Sequence, residues 1–131
     1  MSTIRSTEDY LETIYKLRKE KGQARLSNVA EELKISKPSV TQMVQKLAAD
    51  GFIDHRPYAP IILTKKGEAI GRKIAQRHSV LEEFLTILGI PNYIRERDIH
   101  GIEHFLSDKT LKALKKAARF LKDKKFSNTR K

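Results

Sequence analysis

The first half of the chain places three helical patterns before two β-prone stretches, an order that few folds accept. Apolar residues recur at helical spacing in residues 6–21, 26–33 and 37–50. Residues 52–56 and 61–64 are short and β-prone, and a proline-containing turn separates them, which predicts a two-stranded hairpin. This order predicts a winged helix-turn-helix, whose third helix enters a groove of DNA.

Polar residues mark the predicted starts of these helices. Ser6 and Asp9 have the spacing of a capping box at the first helix. Ser27 is the expected cap of the second helix, and Ser36 or Lys37 that of the third.

The second half of the chain has helical patterns only. Thr64 precedes a pattern that continues to about Leu88, a second pattern covers about residues 93–106, and Ser107 precedes a third over residues 108–123. We therefore predict a mainly α protein, with a winged helix-turn-helix domain at residues 1–63 and an all-helical domain at residues 64–131.

Composition excludes several classes of site. The chain has no cysteine, so it has no disulfide framework, thiolate zinc site or cysteine nucleophile. It has no apolar run long enough for a membrane helix and no segment resembling a signal peptide. We therefore expect a cytoplasmic protein without a membrane partner.

The net charge of +11 favours a polyanionic partner such as nucleic acid. Residues 1–63 carry ten basic and eight acidic side chains, whereas residues 64–131 carry seventeen and eight. Nearly all of the excess follows Asp108, where a solvated helix face is an equally good interpretation. Charge alone therefore does not locate the binding element.

The third helix has the side chains that groove entry needs. Apolar residues at positions 40, 43, 44 and 47 predict its inner face. Serine, threonine and glutamine can bond base edges, and lysine can bind phosphate. The candidates for DNA contact on this helix are Lys37, Pro38, Ser39, Thr41, Gln42 and Lys46. The alternative is an ordinary amphipathic surface helix.

The predicted hairpin tip adds Arg56 and Tyr58. These side chains are candidates for contact with phosphate or with the minor groove. The alternative is that they form an ordinary exposed loop.

Histidine and carboxylate residues cluster in one predicted helix, over residues 98–106. His100, Glu103 and His104 fall within an arc of about 100° on this helix, opposite the apolar residues 99, 102, 105 and 106. Two imidazoles at i and i+4 with a carboxylate between them can chelate a divalent ion. His78 and Glu82 form a second pair with this spacing.

Asp9 and Glu12 form a further pair, at i and i+3 on the first helix. Each residue also has an ordinary interpretation: Asp9 as the capping acid, Glu12 as a surface residue, His78 at the edge of the core. His100 and His104 could likewise form a solvent face. Local spacing does not show whether these helices converge.

Several separated blocks of the chain resemble the diphtheria-toxin-repressor family of metal-dependent regulators, in its short manganese-regulator branch. The resemblance runs from about residue 6 to residue 121. It rests on residues 8–15, 38–47, 63–67, 77–78, 81–85 and 101–104, which follow the family's order.

The resemblance implies a two-ion site at the junction of the two domains. Its implied ligands are Asp9, Glu12, His78, Glu103 and His104. Glu82 is implied as a secondary ligand.

One further ligand position departs from the family pattern. The residue three before Glu103 is usually glutamate in the manganese branch and cysteine in the iron branch, and here it is His100. An imidazole cannot bridge two ions through two oxygens, and it shifts the preference from Mn²⁺ toward Fe²⁺, Co²⁺ or Zn²⁺. The wing departs too, because Ala59 and Pro60 replace the usual Arg-Gly tip.

We therefore expect a homodimeric, metal-responsive transcriptional repressor that binds a palindromic operator in double-stranded DNA, and not an enzyme. By resemblance, Mn²⁺ is the expected ion and metal-uptake genes the expected targets. A metal-independent winged-helix regulator is the first alternative. A metallohydrolase is a weak one, because no motif supplies a general base beside an open coordination position.

Overall fold

The computed structural model describes residues 4–124, which divide into two compact units within one helix, between Ala75 and Gln76. These residues form six α-helices and a two-stranded sheet. Their order is α1 Ile4–Lys21, α2 Leu26–Leu33, α3 Lys37–Ala49, β1 Ile53–Asp54, β2 Ile62–Leu63, α4 Lys65–Ile87, α5 Asn92–Ile102 and α6 Asp108–Asp123. The predicted fold class is confirmed. The predicted boundary at residues 63 and 64 stays a prediction, and the tail after Lys124 lies outside the described residues.

The first unit is built on one apolar core beneath α1, α2, α3 and the hairpin. Strands β1 and β2 pair antiparallel, with Ile53 opposite Leu63 and Asp54 opposite Ile62. The Ile61 N–H donates to the carbonyl of Ala24 at 2.7 Å, which ties the hairpin to the α1–α2 loop. The buried apolar residues of this core are Leu11, Ile14, Leu17, Ala24, Val29, Ala30, Val40, Met43, Val44, Leu47, Ile53, Ile61 and Leu63.

Local hydrogen bonds set the starts of α2 and α3. The Ser36 hydroxyl accepts from the Ser39 N–H at 3.3 Å, with proline in the first turn of α3, so the predicted cap is observed. The predicted Ser27 cap is wrong, because the N-cap of α2 is Arg25, two residues earlier. There Asn28 Oδ1 accepts from the Arg25 N–H at 3.1 Å.

The capping box predicted at Ser6 is also wrong. Helix α1 already includes Ile4, so Ser6 and Asp9 lie inside it. This removes the capping interpretation of Asp9, whose backbone position is an ordinary helical one.

Thr64 joins the hairpin to α4. Its hydroxyl donates to the carbonyl of Gly51 at 2.7 Å and accepts from the Gly67 N–H at 3.2 Å. A Cβ on Gly67 would overlap the carbonyl oxygen of Phe52. The first turn of α4 therefore sits directly against the residues that lead into β1, where only glycine fits.

The second unit contains the end of α4 together with α5 and α6. Its buried apolar residues are Leu81, Ile99 and Ala118. The predicted cap of α6 is observed, since the Ser107 hydroxyl accepts from the Thr110 N–H at 3.1 Å. Within residues 4–124, none of the helices combines the length and apolar character needed to cross a membrane.

Helix α5 is shorter than its sequence pattern predicts. It ends at Ile102, and the Phe105 N–H donates to the Ile102 carbonyl at 3.0 Å, which turns residues 103–105 out of the helix. Ile102 and Phe105 are 42% and 78% exposed. The predicted apolar side is therefore wrong for Ile102 and Phe105, whereas Ile99 is buried and Leu106 is half-buried. Phe105 follows the end of the helix, so the helical spacing no longer applies to it.

Candidate metal centre and nucleic-acid interface

Helix α3 presents a polar face above its buried apolar one. Four of its side chains, at positions 40, 43, 44 and 47, belong to the core. Of the predicted DNA-contact residues, Thr41 is half-buried, and the exposed ones are Lys37, Pro38, Ser39, Gln42 and Lys46. The Ser39 hydroxyl accepts from the Ser36 hydroxyl at 3.0 Å, so it takes part in the helix cap as well.

The hairpin tip is a tight turn with an unusual backbone. The Ala59 N–H donates to the Arg56 carbonyl at 3.1 Å, which leaves Pro57 and Tyr58 as the two central residues. Tyr58 has a φ of 62° and its side chain is 100% exposed. A left-handed backbone at a side chain with a Cβ costs about 1 kcal/mol or more. The Arg25 guanidinium steadies the turn, because its Nη1 donates to the Tyr58 carbonyl at 3.3 Å.

The second unit gathers imidazoles around one carboxylate. Glu103 Oε1 lies 3.1 Å from Nδ1 of His78 on α4, and Glu103 Oε2 lies 3.5 Å from Nε2 of His104. The side chains of Glu103 and His104 are each 2% exposed, and that of His78 is 33% exposed. A buried carboxylate requires compensating partners, and here each oxygen faces a ring nitrogen.

His100 adds a third imidazole from the exposed side of α5. Its ring lies edge-on to that of His104, with centroids 6.1 Å apart. His100, Glu103 and His104 each offer a ligand atom, and these atoms lie within 4.8 Å of one another.

The donor set fits a divalent transition metal. Imidazole nitrogen and carboxylate oxygen bind such ions at about 2.0–2.2 Å, so two ligands of one ion lie about 3 Å apart. The observed nitrogen–oxygen distances of 3.1 and 3.5 Å are close to that value. Glu103 can bind through either oxygen, each beside a different histidine.

The carboxylates predicted on α1 are described within the first unit. Asp9 is half-buried and Glu12 is 7% exposed, and the Lys16 ammonium lies 3.0 Å from Glu12 Oε2. Their role as ligands stays a prediction.

Glu82 has a different partner. Its Oε2 accepts from Nε of Arg95 at 3.0 Å, and Nη1 of the same arginine donates to the Ile90 carbonyl at 2.6 Å. The predicted secondary ligand is thus held by a guanidinium whose other bonds fix the α4–α5 turn.

Arg77 belongs to a block of the family resemblance but had no predicted role, and it lies beside the candidate metal centre. Its side chain is 7% exposed. Nη1 donates to the Glu103 carbonyl at 3.3 Å, and Nη2 to Asp108 Oδ1 at 3.0 Å. It therefore ties the turn that carries Glu103 and His104 to the first residue of α6. In the sequence, the only indication of this role is that Arg77 directly precedes the candidate ligand His78.

Comparison with known proteins gives the family. Residues 2–61 match the model for the iron dependent repressor N-terminal DNA binding domain. Residues 64–129 match the model for the iron dependent repressor metal binding and dimerisation domain. Together the two models cover almost the whole chain, in this order.

Curated relatives agree with the family models. The HTH-type transcriptional regulator MntR of Bacillus subtilis (strain 168) is 47% identical over 105 residues, which are 80% of this chain and 74% of that protein. The regulator of the same name from Oceanobacillus iheyensis is 43% identical over 118 residues, covering 90% of this chain and 80% of that protein.

Solved structures of manganese and other metal-dependent regulators share the fold. The manganese regulator SloR has a TM-score of 0.73 and 28% identity over 87% of this chain. The metal-dependent transcriptional regulator MtsR has a TM-score of 0.75 and 27% identity over 90% of it. This chain spans 54% and 55% of the length of those two chains.

These matches are to regulators and not to enzymes, which agrees with the expectation drawn from the sequence. The chain belongs to the iron dependent repressor family, as a transcriptional regulator with a DNA-binding domain followed by a metal-binding and dimerisation domain.

Proposed function

We propose that the protein is a cytoplasmic repressor that binds its operator when a divalent transition metal is bound. The observation that carries this proposal is the buried Glu103 carboxylate, with one oxygen facing His78 and the other facing His104. Mn²⁺ is the proposed ion, since SloR, one of the similar proteins, is a manganese regulator by name.

The proposed ligand set extends the cluster of the second unit. It consists of Asp9, Glu12, His78, His100, Glu103 and His104. The inclusion of the first two rests on the family resemblance of α1. When bound, the ion supplies positive charge that offsets the repulsion among the carboxylates.

The residues of the second unit have separable roles at this site. Glu103 and His104 bind from a buried turn, His78 binds from α4, and Arg77 holds the turn through the Glu103 carbonyl. The histidines bind only when unprotonated, so acid competes with the metal. The metal favours the DNA-competent conformation only if it binds that conformation more tightly than the other one. The corresponding difference in binding free energy is typically about 1–3 kcal/mol.

DNA recognition is assigned to α3 and the hairpin tip. Ser39, Thr41 and Gln42 are proposed to read base edges in the major groove, and Lys37 and Lys46 to bind phosphates. Pro38 starts the helix, and Arg56 and Tyr58 are proposed to contact the backbone or the minor groove. Two copies of α3 in a homodimer match a palindromic operator. Genes for metal uptake are the proposed targets.

The decisive experiment measures DNA binding as a function of metal. Fragments of the source genome are selected with Mn²⁺ and then titrated with and without a chelator. We expect Glu103→Ala and His104→Ala to bind the selected operator no better with Mn²⁺ than without it. Glu83→Ala, which removes an exposed carboxylate from α4, is the matched control and should respond like the wild type.

Two outcomes would contradict the proposal. Operator binding that is insensitive to the chelator would favour a metal-independent regulator. A full metal response in both Glu103→Ala and His104→Ala would exclude this cluster as the sensing site.

A further inference from the structure

Helix α6 carries a continuous basic face. Six cationic side chains lie three residues apart, except for one adjacent pair, and all of them are exposed. At about 100° per residue they fall within an arc of about 140°. They are Lys109, Lys112, Lys115, Lys116, Arg119 and Lys122.

Few ion pairs within the described residues 4–124 involve these cations. Among residues 4–124, the ion pair observed on this face joins Lys122 to Glu83, at 3.8 Å between two largely exposed side chains. No acidic residue lies between Lys109 and Lys122. Asp108 and Asp123 lie at the ends, and Asp108 is paired with Arg77. Like charges three or four residues apart destabilise a helix by about 0.2–0.5 kcal/mol per pair, so this face carries a cost that folding does not require.

The other side of α6 anchors the helix within its own unit. Ala118 is fully buried, and Leu111, Leu114 and Leu121 are half-buried. A helix that lies in a membrane surface must offer its apolar face to lipid. On α6 that face is largely occupied, and Phe120, at 61% exposure, is the large apolar side chain left beside the cations. The exposed face of α6 is therefore a row of cations, and the helix has no free apolar face to insert into lipid.

We propose that the basic face of α6 binds the phosphate backbone of double-stranded DNA, independently of base sequence. The row is about 20 Å long, at a rise of about 1.5 Å per residue. Duplex DNA carries one charge per roughly 1.7 Å of its axis, so several phosphates lie within that length. This contact is additional to operator reading by α3, and it adds affinity for any duplex without adding preference for one.

The test compares the salt dependence of DNA binding between variants of the 131-residue chain. The first variant combines Lys112→Gln, Lys115→Gln, Lys116→Gln and Arg119→Gln. Its binding to a random-sequence duplex is measured by fluorescence anisotropy over a series of salt concentrations. We expect the slope of log K against log salt to fall in magnitude by about 0.9 for each phosphate that the variant no longer neutralises.

Two control variants test whether a change in the salt slope comes from the charges on α6. Replacing the three lysines by arginine keeps the charges and should keep the slope. A second control removes four exposed positive charges elsewhere and should change the salt slope less than the α6 variant does. It combines Lys19→Gln, Arg72→Gln, Lys73→Gln and Arg97→Gln. An unchanged slope in the α6 variant, or an equal change in this control, would overturn the proposal.

A third measurement tests a lipid partner. Loss of binding to phosphatidylserine vesicles with an unchanged slope on DNA would also overturn the proposal, in favour of a membrane surface.

The outcome is independent of the proposed metal response. The α6 variant should keep its metal-stimulated preference for operator over random duplex, since α3 and the metal centre are intact. If the wild type shows no metal response, the proposed function fails while the α6 result still stands.

Discussion

Arg77 is a buried side chain that can set the geometry of Glu103, one of the proposed metal ligands. Its guanidinium bonds the backbone of Glu103 and the carboxylate of Asp108, at 3.3 and 3.0 Å. Partners that orient metal ligands are typically worth 10- to 100-fold in affinity. A lysine at this position offers one ammonium group and cannot span both acceptors in the same planar geometry.

We therefore expect Arg77→Lys to weaken metal binding by about tenfold or more. The dissociation constant is measured by isothermal titration calorimetry, with circular dichroism to confirm folding. Asp108→Asn keeps an acceptor for Nη2 and should cost less. A lower melting temperature with an unchanged dissociation constant would show that Arg77 serves the fold alone.

His100 is the exposed member of the cluster and the position at which this chain departs from its resemblance to the manganese branch. Because imidazole favours later transition metals and carboxylate favours Mn²⁺, we expect His100→Glu to shift the ratio of the two dissociation constants toward Mn²⁺ by about tenfold. Competition titrations of Mn²⁺ against Zn²⁺ measure this ratio. His55→Glu makes the same exchange outside the cluster and should leave it unchanged. An equal ratio in wild type and His100→Glu would refute the selectivity argument.

At the scale of elements, the hairpin tip combines a strained backbone with an exposed aromatic ring. Tyr58 has a φ of 62°, in the region where glycine avoids the strain of a Cβ. We expect Tyr58→Gly to be more stable than Tyr58→Ala by about 1 kcal/mol, and both to bind DNA more weakly than the wild type. Denaturant unfolding and operator titrations measure the two effects. Equal stabilities would exclude backbone strain, and unchanged affinity would exclude a role in DNA binding.

The helix starts that sequence analysis predicted correctly depend on neighbouring residues. Ser36 and Ser107 each cap a helix through the N–H three residues ahead, which a short stretch of sequence specifies. The order of helices and hairpin was predictable for the same reason, since periodicity and turn residues are local.

The end of α5 was not predictable in this way. The pattern over residues 98–106 suited one helix with Ile102 and Phe105 on its apolar side. In the structure, residues 103–105 turn out of the helix, and the polar Glu103 is the buried residue. Its burial depends on Arg77 and His78, which are 26 and 25 residues away in sequence. The histidines and Glu103 were identified as a set, but the buried arginine that supports them required the tertiary structure.

At the scale of the whole molecule, metal binding and folding are linked. A metal that binds only the folded protein stabilises it by about 2.7 kcal/mol at one hundred times its dissociation constant. We expect Mn²⁺ to raise the melting temperature by several degrees and a chelator to reverse the gain. The gain should shrink on acidification, because protonated imidazoles do not bind metal. Thermal scans of wild type and Glu103→Ala measure the effect, and an equal rise in both would place binding elsewhere.

The side chains of the histidine–glutamate cluster differ in their exposure to solvent. Those of Glu103 and His104 are 2% exposed, that of His78 is 33% exposed, and His100 lies at the surface. In the proposed metal site, the residue at position 100 can therefore change without repacking the buried residues. Among related chains we expect metal preference to vary with the residue at position 100, while the buried Glu103 and His104 stay the same.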